Sequence, residues 1–331
     1  MQRHRLLLAI FLLLPLMATE AWAEPVTGAL RAGRDARPIC TLDGVPLAGY
    51  GGGTRRKTIP MQDGHSFFLV KSTGEHDTVR VKSLVLEVEG ERMAFISIDA
   101  IGAARSIVDE VVSRLPGTGL TRESIMLVGT HTHSSMGAVS DKLFWQVGAV
   151  DRFDSDVLDH VAGNIVDSLN AAIADLQPAK LGNGSSEVLG ITRNRRTDNA
   201  PVNTDLGVIK VESMAGDPMA VLFNFAIHGT SLSGDDLNMS ADNMGYAERY
   251  IEAQIPGVVA LFANGAEGDV APTMGGLDGA QSVGETLGAE VKAVWDATAT
   301  HEETTIEVQS VETDLPQIVI NVTACGDEFT A

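Results

Sequence analysis

Two histidines, His131 and His133, stand two residues apart in GTHTHSSMGAVS, directly after the apolar run SIMLVG. The chain has only eight histidines, so the pairing raises the question of a shared site. In an extended backbone, side chains two apart point to the same side, which predicts that both imidazoles face one site at a strand's end. Strand ends and the loops after them are where α/β proteins build active sites. Imidazole is the commonest protein ligand for zinc, and two on one side make a partial site. H-x-H also serves hydrogen bonding, and the motif alone does not choose between the two uses.

His228 has the same context. It closes the apolar run AVLFNFAIHG and enters a Gly-Thr-Ser turn. A lone strand-end histidine is commonly a hydrogen-bonded structural residue, but two strand ends can converge on one rim of a sheet. GAEGDVAPT is a third such loop, in which Gly265 and Gly268 allow close backbone approach and Asp269 offers a carboxylate. Its plainer reading is a tight turn with the Asp bonded to its own backbone. HGTSLSGDD does not make a nucleophile elbow. G-x-S-x-G needs glycine at 233, where the chain has Ser233, and the elbow should open directly into a helix.

The surrounding pattern alternates strands and helices. Residues 24–64 are rich in Gly, Arg and Pro, and VPLAGYGGGTRR reads as an irregular loop. VRVKSLVLEVE and RMAFISIDA read as strands, with EGE as the hairpin turn between them. AARSIVDEVVSRL has helical spacing, with Ile107, Val108, Val111, Val112 and Leu115 on one side. SIMLVG reads as a short buried strand. DSDVLDHVAGNIVDSLNAAIADL reads as a long amphipathic helix, opened by an Asp or Ser cap and closed before Pro178. TDLGVIKVES and MAVLFNFAIHG read as strands, and ADNMGYAERYIEAQI as a helix. VVALFANGAEGDVAP is a strand running into a Gly-rich loop. A loop around 275–281 leads into the helix SVGETLGAEVKAVWDATA, and TIEVQSVETDLP and QIVINVT look like strands. No internal repeat, low-complexity tract or clear linker is visible. The pattern predicts an α/β layered domain with a mixed, largely buried β-sheet flanked by helices.

The N-terminus sets the expected compartment. MQRHR is a basic segment, LLLAIFLLLPLM is apolar, and AWA offers Ala21 and Ala23 as small residues at a cleavage site. This predicts a secretory signal over residues 1–23, cut before Glu24, and an exported mature chain. The apolar core of 12 residues falls below the roughly 18–20 that span a bilayer. The 24 Lys and Arg against 44 Asp and Glu give a net charge of −20. Phosphate backbones need clustered basic charge, so a nucleic-acid partner is not expected, and nor is strong adsorption to an anionic membrane. Two cysteines, Cys40 and Cys325, are too few for a disulfide scaffold or a cysteine zinc cluster.

Taken in order, these motifs resemble the neutral, non-lysosomal ceramidases. GTHTHS looks like that family's T-H-T-H-S zinc motif. ITRNRRTDNAPVNTDLGVIKVE is similar to its N-R-S-P segment, and NFAIHGTSL with SADNMGYA to its F-A-x-H segment and D-N-x-G-Y helix start. ANGAEGDVAPT looks like its G-D-V-S-P-N loop, and GVPLAGYG fits its N-terminal loop. The resemblance covers roughly residues 44–273. It implies a zinc-dependent hydrolase of N-acyl amides, ceramide-like, acting on a small lipid-like amide substrate. His131 and His228 match the zinc-ligand histidines. His133 matches the histidine that polarises or deprotonates the attacking water, and Arg195 the arginine that contacts the substrate near the scissile amide.

Three departures qualify the match. Ala271 and Thr273 stand where the family has Ser and Asn, and SMGA replaces its Gly-Pro-Gly-Gly. The family's remaining zinc ligands, a Glu in a P-G-E segment and a later Tyr, have no counterpart here. GDEFTA resembles P-G-E in part, with Glu328 as the carboxylate, but follows Ala271 too closely. The expectation is therefore a ceramidase-like catalytic domain over 24–331 that is incomplete at its C-terminus. Two alternatives stay open: a metal-dependent amidase on another amide, such as a cell-wall or acyl-amino-acid compound, and a truncated non-catalytic remnant.

Overall fold

A computed structural model describes residues 25–39 and 42–308, together with the strand pairing of 319–322 and 327–330. The signal reading over 1–23, Cys40, Cys325 and the Glu328 side chain lie outside the described residues.

The chain begins with strand β1 (Val26–Pro38), a 3-10 turn (Gly53–Arg55) and the short β2 (Gly74–Glu75). Strands β3 (Arg80–Val88) and β4 (Glu91–Ile98), helix α1 (Arg105–Ser113) and β5 (Ile125–Gly129) follow. A single turn α2 (Leu143–Trp145) precedes the long helix α3 (Ser155–Ala174). Strands β6 (Gln177–Glu187), β7 (Thr192–Asn194), β8 (Asp205–Ser213), β9 (Pro218–Phe225) and β10 (Asn238–Met239) come next. Helix α4 (Asp242–Gln254), β11 (Val259–Asn264), β12 (Val270–Pro272) and helix α5 (Gly276–Ala297) then lead to β13 (Glu303–Ile306). The last two strands, β14 (Val319–Val322) and β15 (Asp327–Thr330), pair with each other.

Among the described residues, nine strands form one mixed sheet in the order β11-β9-β8-β6-β1-β3-β4-β5, with β13 also paired to β1. Only β4–β5 and β9–β11 are parallel within it. The sheet folds over on itself at β1 and β6. Leu30, Leu84 and Leu86 from one half thereby pack against Met219, Leu222 and Leu261 from the other. Helices α1 and α3 cover one outer face, burying Ile107, Ile165 and Leu169 against Val81, Val85 and Ile96. Helices α4 and α5 cover the other, with Ile251, Leu287 and Val291 against Val208, Phe223 and Phe262. Each such buried aliphatic or aromatic side chain contributes roughly 1.5–3 kcal/mol. The α/β layered domain with a mixed, largely buried sheet is thus observed as four layers, helix–sheet–sheet–helix.

The hairpin turn between β3 and β4 is Glu89-Gly90, with φ of 51° and 89°, the paired positive angles of a tight two-residue turn. Asp154 caps α3 by accepting from the Asp156 N–H at 2.9 Å, as expected. Three expectations change. Residues 26–38 lie in the Gly-, Arg- and Pro-rich stretch, where no strand was expected, yet they form a strand at the fold line of the sheet. A Cβ on Gly33 would stand 2.0 Å from the Ala172 carbonyl of α3, so close packing, not a turn, explains that glycine. Helix α5 starts at Gly276 rather than at 282, and within it Gly284 packs on α4, where a Cβ would meet the Asn243 carbonyl at 2.4 Å. SIMLVG does form a strand, but β5 lies at the sheet's edge, and within it Ile125 alone is buried. Among the described residues no helix is long and apolar enough to cross a membrane.

Candidate metal centre

The two parallel pairs run in the same sense toward one rim, and their strand-end loops build the site. Strand β5 ends at Gly129. His131 then adopts φ of 67°, a left-handed backbone uncommon for a residue with a Cβ. The N–H of His131 donates to the Ala100 carbonyl beyond β4 at 2.9 Å. Thr132 pairs in parallel with Gly229 beyond β9. His133 N–H donates to the Gly229 carbonyl at 3.0 Å, and Gly229 N–H to the His131 carbonyl at 3.2 Å. This zipper joins loops from opposite halves of the folded sheet. The two histidines therefore converge through a left-handed turn and a cross-sheet bridge, not through the strand alternation predicted from their spacing.

His131, His133 and His228 come together, with one ring nitrogen of each within 4.8 Å of the others. His131 Nε2 lies 3.4 Å from His133 Nε2. The rings of His131 and His228 are 4.5 Å apart at their centroids. His131 Nδ1 donates to the Ile101 carbonyl at 2.7 Å, and His228 Nδ1 to the Glu267 carbonyl at 2.7 Å. A carbonyl can only accept, so both rings carry the proton on Nδ1 and turn an Nε2 lone pair inward. Burial, and then the neighbouring His131, His228, Arg195 and Arg55, push His133 down to about 2. Burial, then His131 and Arg195, push His228 down to about 4. Both rings are therefore neutral near pH 7, the form that coordinates metal. His133 Nδ1 is buried without a hydrogen bond. Convergent imidazole nitrogens from three rings are a donor set that fits a metal ion.

Arg195 follows β7, which pairs with β12 in the GDVAP loop. Its N–H donates to the Asp269 carbonyl at 2.8 Å, and its Nε and Nη2 both donate to the Gly268 carbonyl, at 3.2 and 3.0 Å. The exposed side chain thus stands beside the histidines without a hydrogen bond to them. Asp269 is not brought into the cluster. Its carboxylate accepts from Asn194 Nδ2 at 2.7 Å, a structural role closer to the turn reading. Ala271 is buried on β12 opposite Arg193.

Several residues of this site were not singled out from the sequence. Gly49, at φ of 100°, lies against the His133 ring, where a Cβ would come within 2.4 Å. Tyr50 packs edge-on to His133 at 4.9 Å and donates its hydroxyl to the Leu232 carbonyl at 2.8 Å. Arg55 is fully buried and donates to the carbonyls of Ala48, His133 and Asp236. Burial lowers it to about 10, which leaves it charged. The signals for these three were the Gly-rich VPLAGYGGGTRR and, for Gly49 and Tyr50, the resemblance of GVPLAGYG to the family's N-terminal loop. Asp242 accepts the N–H groups of Ser231 and Leu232, and Asn243 Nδ2 donates to the His228 carbonyl at 3.1 Å. The helix start DNMGY therefore shapes the loop that carries His228.

Comparison with known proteins agrees with this arrangement. The family described as neutral/alkaline non-lysosomal ceramidase, N-terminal, matches residues 61–293. Neutral ceramidase A of Dictyostelium discoideum is 28% identical over 230 residues, covering 61% of this chain and 32% of that protein. The neutral ceramidase of Pseudomonas aeruginosa is 27% identical over 231 residues, covering 64% of this chain and 34% of that one. The chain thus spans about a third of the length of these curated relatives. The crystal structure of the Pseudomonas aeruginosa protein superposes with a TM-score of 0.67 at 24% identity, over 80% of this chain and 44% of that chain, and so shares its fold. The matched segment takes in all three histidines and more than half of the sequence, and the chain belongs to the neutral/alkaline non-lysosomal ceramidase family.

Proposed function

We propose that this chain carries the catalytic region of an exported, zinc-dependent amidohydrolase that cleaves a ceramide-like N-acyl amide into a fatty acid and an amine. The observation that carries the proposal is the convergence of three histidine nitrogens within 4.8 Å at the seam of the two half-sheets. The relatives named neutral ceramidase, and a solved structure of the same fold described as a ceramidase complexed with C2, support the substrate class.

His131 and His228 would hold the ion through Nε2, each ring fixed by its Nδ1–H bond to a loop carbonyl. Zinc, when bound, supplies Lewis acidity and makes a nearby water more acidic. His133 acts as the acid/base group: its neutral ring takes a proton from the attacking water and returns it to the leaving amine. Gly49, Tyr50 and the Arg55 bond to its carbonyl keep that ring in place. Arg195 keeps Nη1 free of the Gly268 carbonyl and offers it to the amide oxygen as negative charge develops there. A cavity of about 300 Å³ lies next to the carbonyl that fixes His131; Ile101, Ala104, Val139, Trp145 and Val150 line an apolar part that suits an acyl chain, and Arg105, Asp141 and Lys142 line the rest.

Ala271 favours one second reading, in which the same machinery acts on an amide with a different head group. A buried methyl group offers that head group no hydroxyl. The test is metal content of the purified mature chain by elemental analysis after mild dialysis, joined to turnover of short- and long-chain N-acyl amides. Close to one zinc per chain, with turnover that vanishes in His131→Ala, is the expected result. Zinc retained with turnover only of non-ceramide amides selects the second reading. Neither metal nor turnover marks a non-catalytic remnant.

A further inference from the structure

Six of the eleven most exposed large apolar side chains among the described residues sit on two adjoining loops. Ile59 is 77% exposed and Met61 67% on the loop after the 3-10 turn. Leu143 is 73% exposed and Phe144 84%, and Trp145 and Val147 follow them on α2 and the residues after it. The loops touch. Arg56 Nη1 donates to the Val147 carbonyl at 2.5 Å, and the buried Asp151 carboxylate accepts the N–H groups of Phe67, Phe68 and Leu69. Single exposed apolar residues are ordinary, whereas a cluster marks an interaction surface. We propose that this patch docks on a lipid bilayer, with Leu143, Phe144 and Trp145 entering its interfacial region. The choice of a lipid partner rests on the amidohydrolase reading above.

Composition, charge and position favour lipid over a protein partner. The tip, Leu143-Phe144-Trp145, joins an aliphatic side chain to two aromatic rings, and tryptophan suits the boundary between apolar and wet environments. The charge behind the tip is opposite to that of the whole chain. Arg56, Lys57 and Arg152 make no ion pair among the described residues. The two guanidinium groups lie over the Phe68 and Phe67 rings at 5.1 and 4.5 Å, and Lys57 Nζ donates to the Met61 and Ser66 carbonyls. Two acids of these loops are already paired, Asp63 with Lys71 and Asp141 with Lys142. In a chain of net charge −20, this local excess of cations fits the phosphate of a zwitterionic head group, while the overall charge disfavours an anionic leaflet. The patch also adjoins the site. Trp145 lines the cavity assigned to the acyl chain, and the N–H of Gly49, which lies against the His133 ring, donates to the Ala149 carbonyl at 2.8 Å. Docking here would bring the Trp145 side of that cavity to the bilayer, so that an acyl chain passes from one apolar environment to another.

The experiment mixes the purified mature chain with phosphatidylcholine vesicles and reads bound protein by flotation. Trp145 gives a second signal, because Trp295 is buried and Trp22 lies in the segment expected to be cleaved. Insertion should shift its emission to the blue and open it to quenching by brominated phosphatidylcholine. Leu143→Ser and Phe144→Ser are each expected to weaken vesicle partitioning roughly 10-fold, and the double variant roughly 100-fold. Met214→Ser, which changes an exposed apolar residue in the turn after β8, should partition like the wild type. All these variants should keep the wild-type thermal midpoint and the wild-type turnover of a soluble short-chain amide. The loop variants alone should lose turnover of a long-chain amide held in the vesicles, in step with partitioning. No vesicle binding by the wild type, or equal binding by the double variant, overturns the proposal. So does self-association that Phe144→Ser abolishes while vesicles stay unbound, since the patch then belongs to a second copy of the chain. Vesicle binding that follows the variants, with no turnover of any amide, leaves the docking surface standing and sinks the amidohydrolase reading instead. Turnover of the soluble amide without vesicle binding does the reverse.

Discussion

The two halves of the folded sheet are built to one plan and used differently. Strands β3 and β4 form a hairpin, α1 crosses over, and β5 returns parallel to β4. Strands β8 and β9 form a hairpin, α4 crosses over, and β11 returns parallel to β9. Each half offers one histidine whose Nδ1 is held by a carbonyl from the neighbouring strand end of the same parallel pair. In the first half the histidine follows the returning strand and the carbonyl, of Ile101, follows β4. In the second half the order is swapped: His228 follows β9, and the carbonyl, of Glu267, follows β11. The scaffold therefore fixes an imidazole's tautomer twice by the same device, whichever strand of the pair carries it. What differs is the holding loop. The first is apolar, through Ile101-Gly102-Ala103. The second carries the Glu267 carboxylate, 3.8 Å from His131, and the Gly268 carbonyl that holds Arg195, so the charged groups beside the histidines lie on that side.

The sharpest way to break this comparison is to remove one histidine from each half. His131→Ala and His228→Ala are both expected to lose bound zinc and to lower amide turnover by roughly 1,000-fold or more, since without metal no acidified water remains. Zinc analysis that finds metal retained in one variant only would show that the halves do not contribute equally. Next comes His133→Ala, expected to keep its zinc while turnover falls roughly 100- to 10,000-fold, the range of general acid–base catalysis. Loss of metal in that variant would make His133 a ligand instead. Arg195→Ala tests the charged loop of the second half. A fall in kcat of roughly 100- to 1,000-fold with metal content unchanged is expected, and an effect confined to KM would limit Arg195 to substrate binding.

Two smaller effects test the scaffold of each half. Gly33→Val and Gly284→Val force side chains against the Ala172 and Asn243 carbonyls and are expected to cost about 1–3 kcal/mol each, or more, in denaturant unfolding. Asp154 adds a pH signature peculiar to the first half. Burial opposes its ionisation, but bonds from His65 and the Asp156 N–H outweigh that and hold its pKa below the usual carboxylate value. A lowered folded pKa means that this contribution is complete above the unfolded value near about 3.9 and is lost as pH falls through the folded one. Asp154→Ala should cost about 1 kcal/mol at pH 7 and less as the pH drops below 4, as read by thermal unfolding.

The strands and helices that carry the histidines were legible because they obey local rules. The alternation in β3 and β4, the helical spacing in α1 and the Asp cap of α3 are written in adjacent residues. The strands at the fold line were not. In β1 and β6, glycines stand where apolar side chains would otherwise mark a strand, because helix ends press on the backbone there. A Cβ on Gly182 of β6 would meet the Ala299 carbonyl at 2.0 Å, as one on Gly33 meets Ala172. The site divides in the same way. His131, His133 and His228 were visible as chemistry-bearing residues at strand ends, and Arg195 through the family resemblance alone. Tyr50 and Arg55 were not, because their roles depend on contacts made across 78 to 182 positions of sequence, which no local pattern records.

The bridge between Thr132 and Gly229 also bears on the order of folding. Its partners are far apart in the chain and belong to opposite half-sheets, so loop closure must be completed before either histidine meets the other. Under the proposed metal site, affinity would be a property of the closed form and absent from a chain in which only one half has formed. By mass action, an ion that binds only the closed form stabilises it by an amount that grows with its free concentration. Zinc would act as a reversible clasp on the two halves, and chelation would lower the barrier to their separation before it touched the helices on either side.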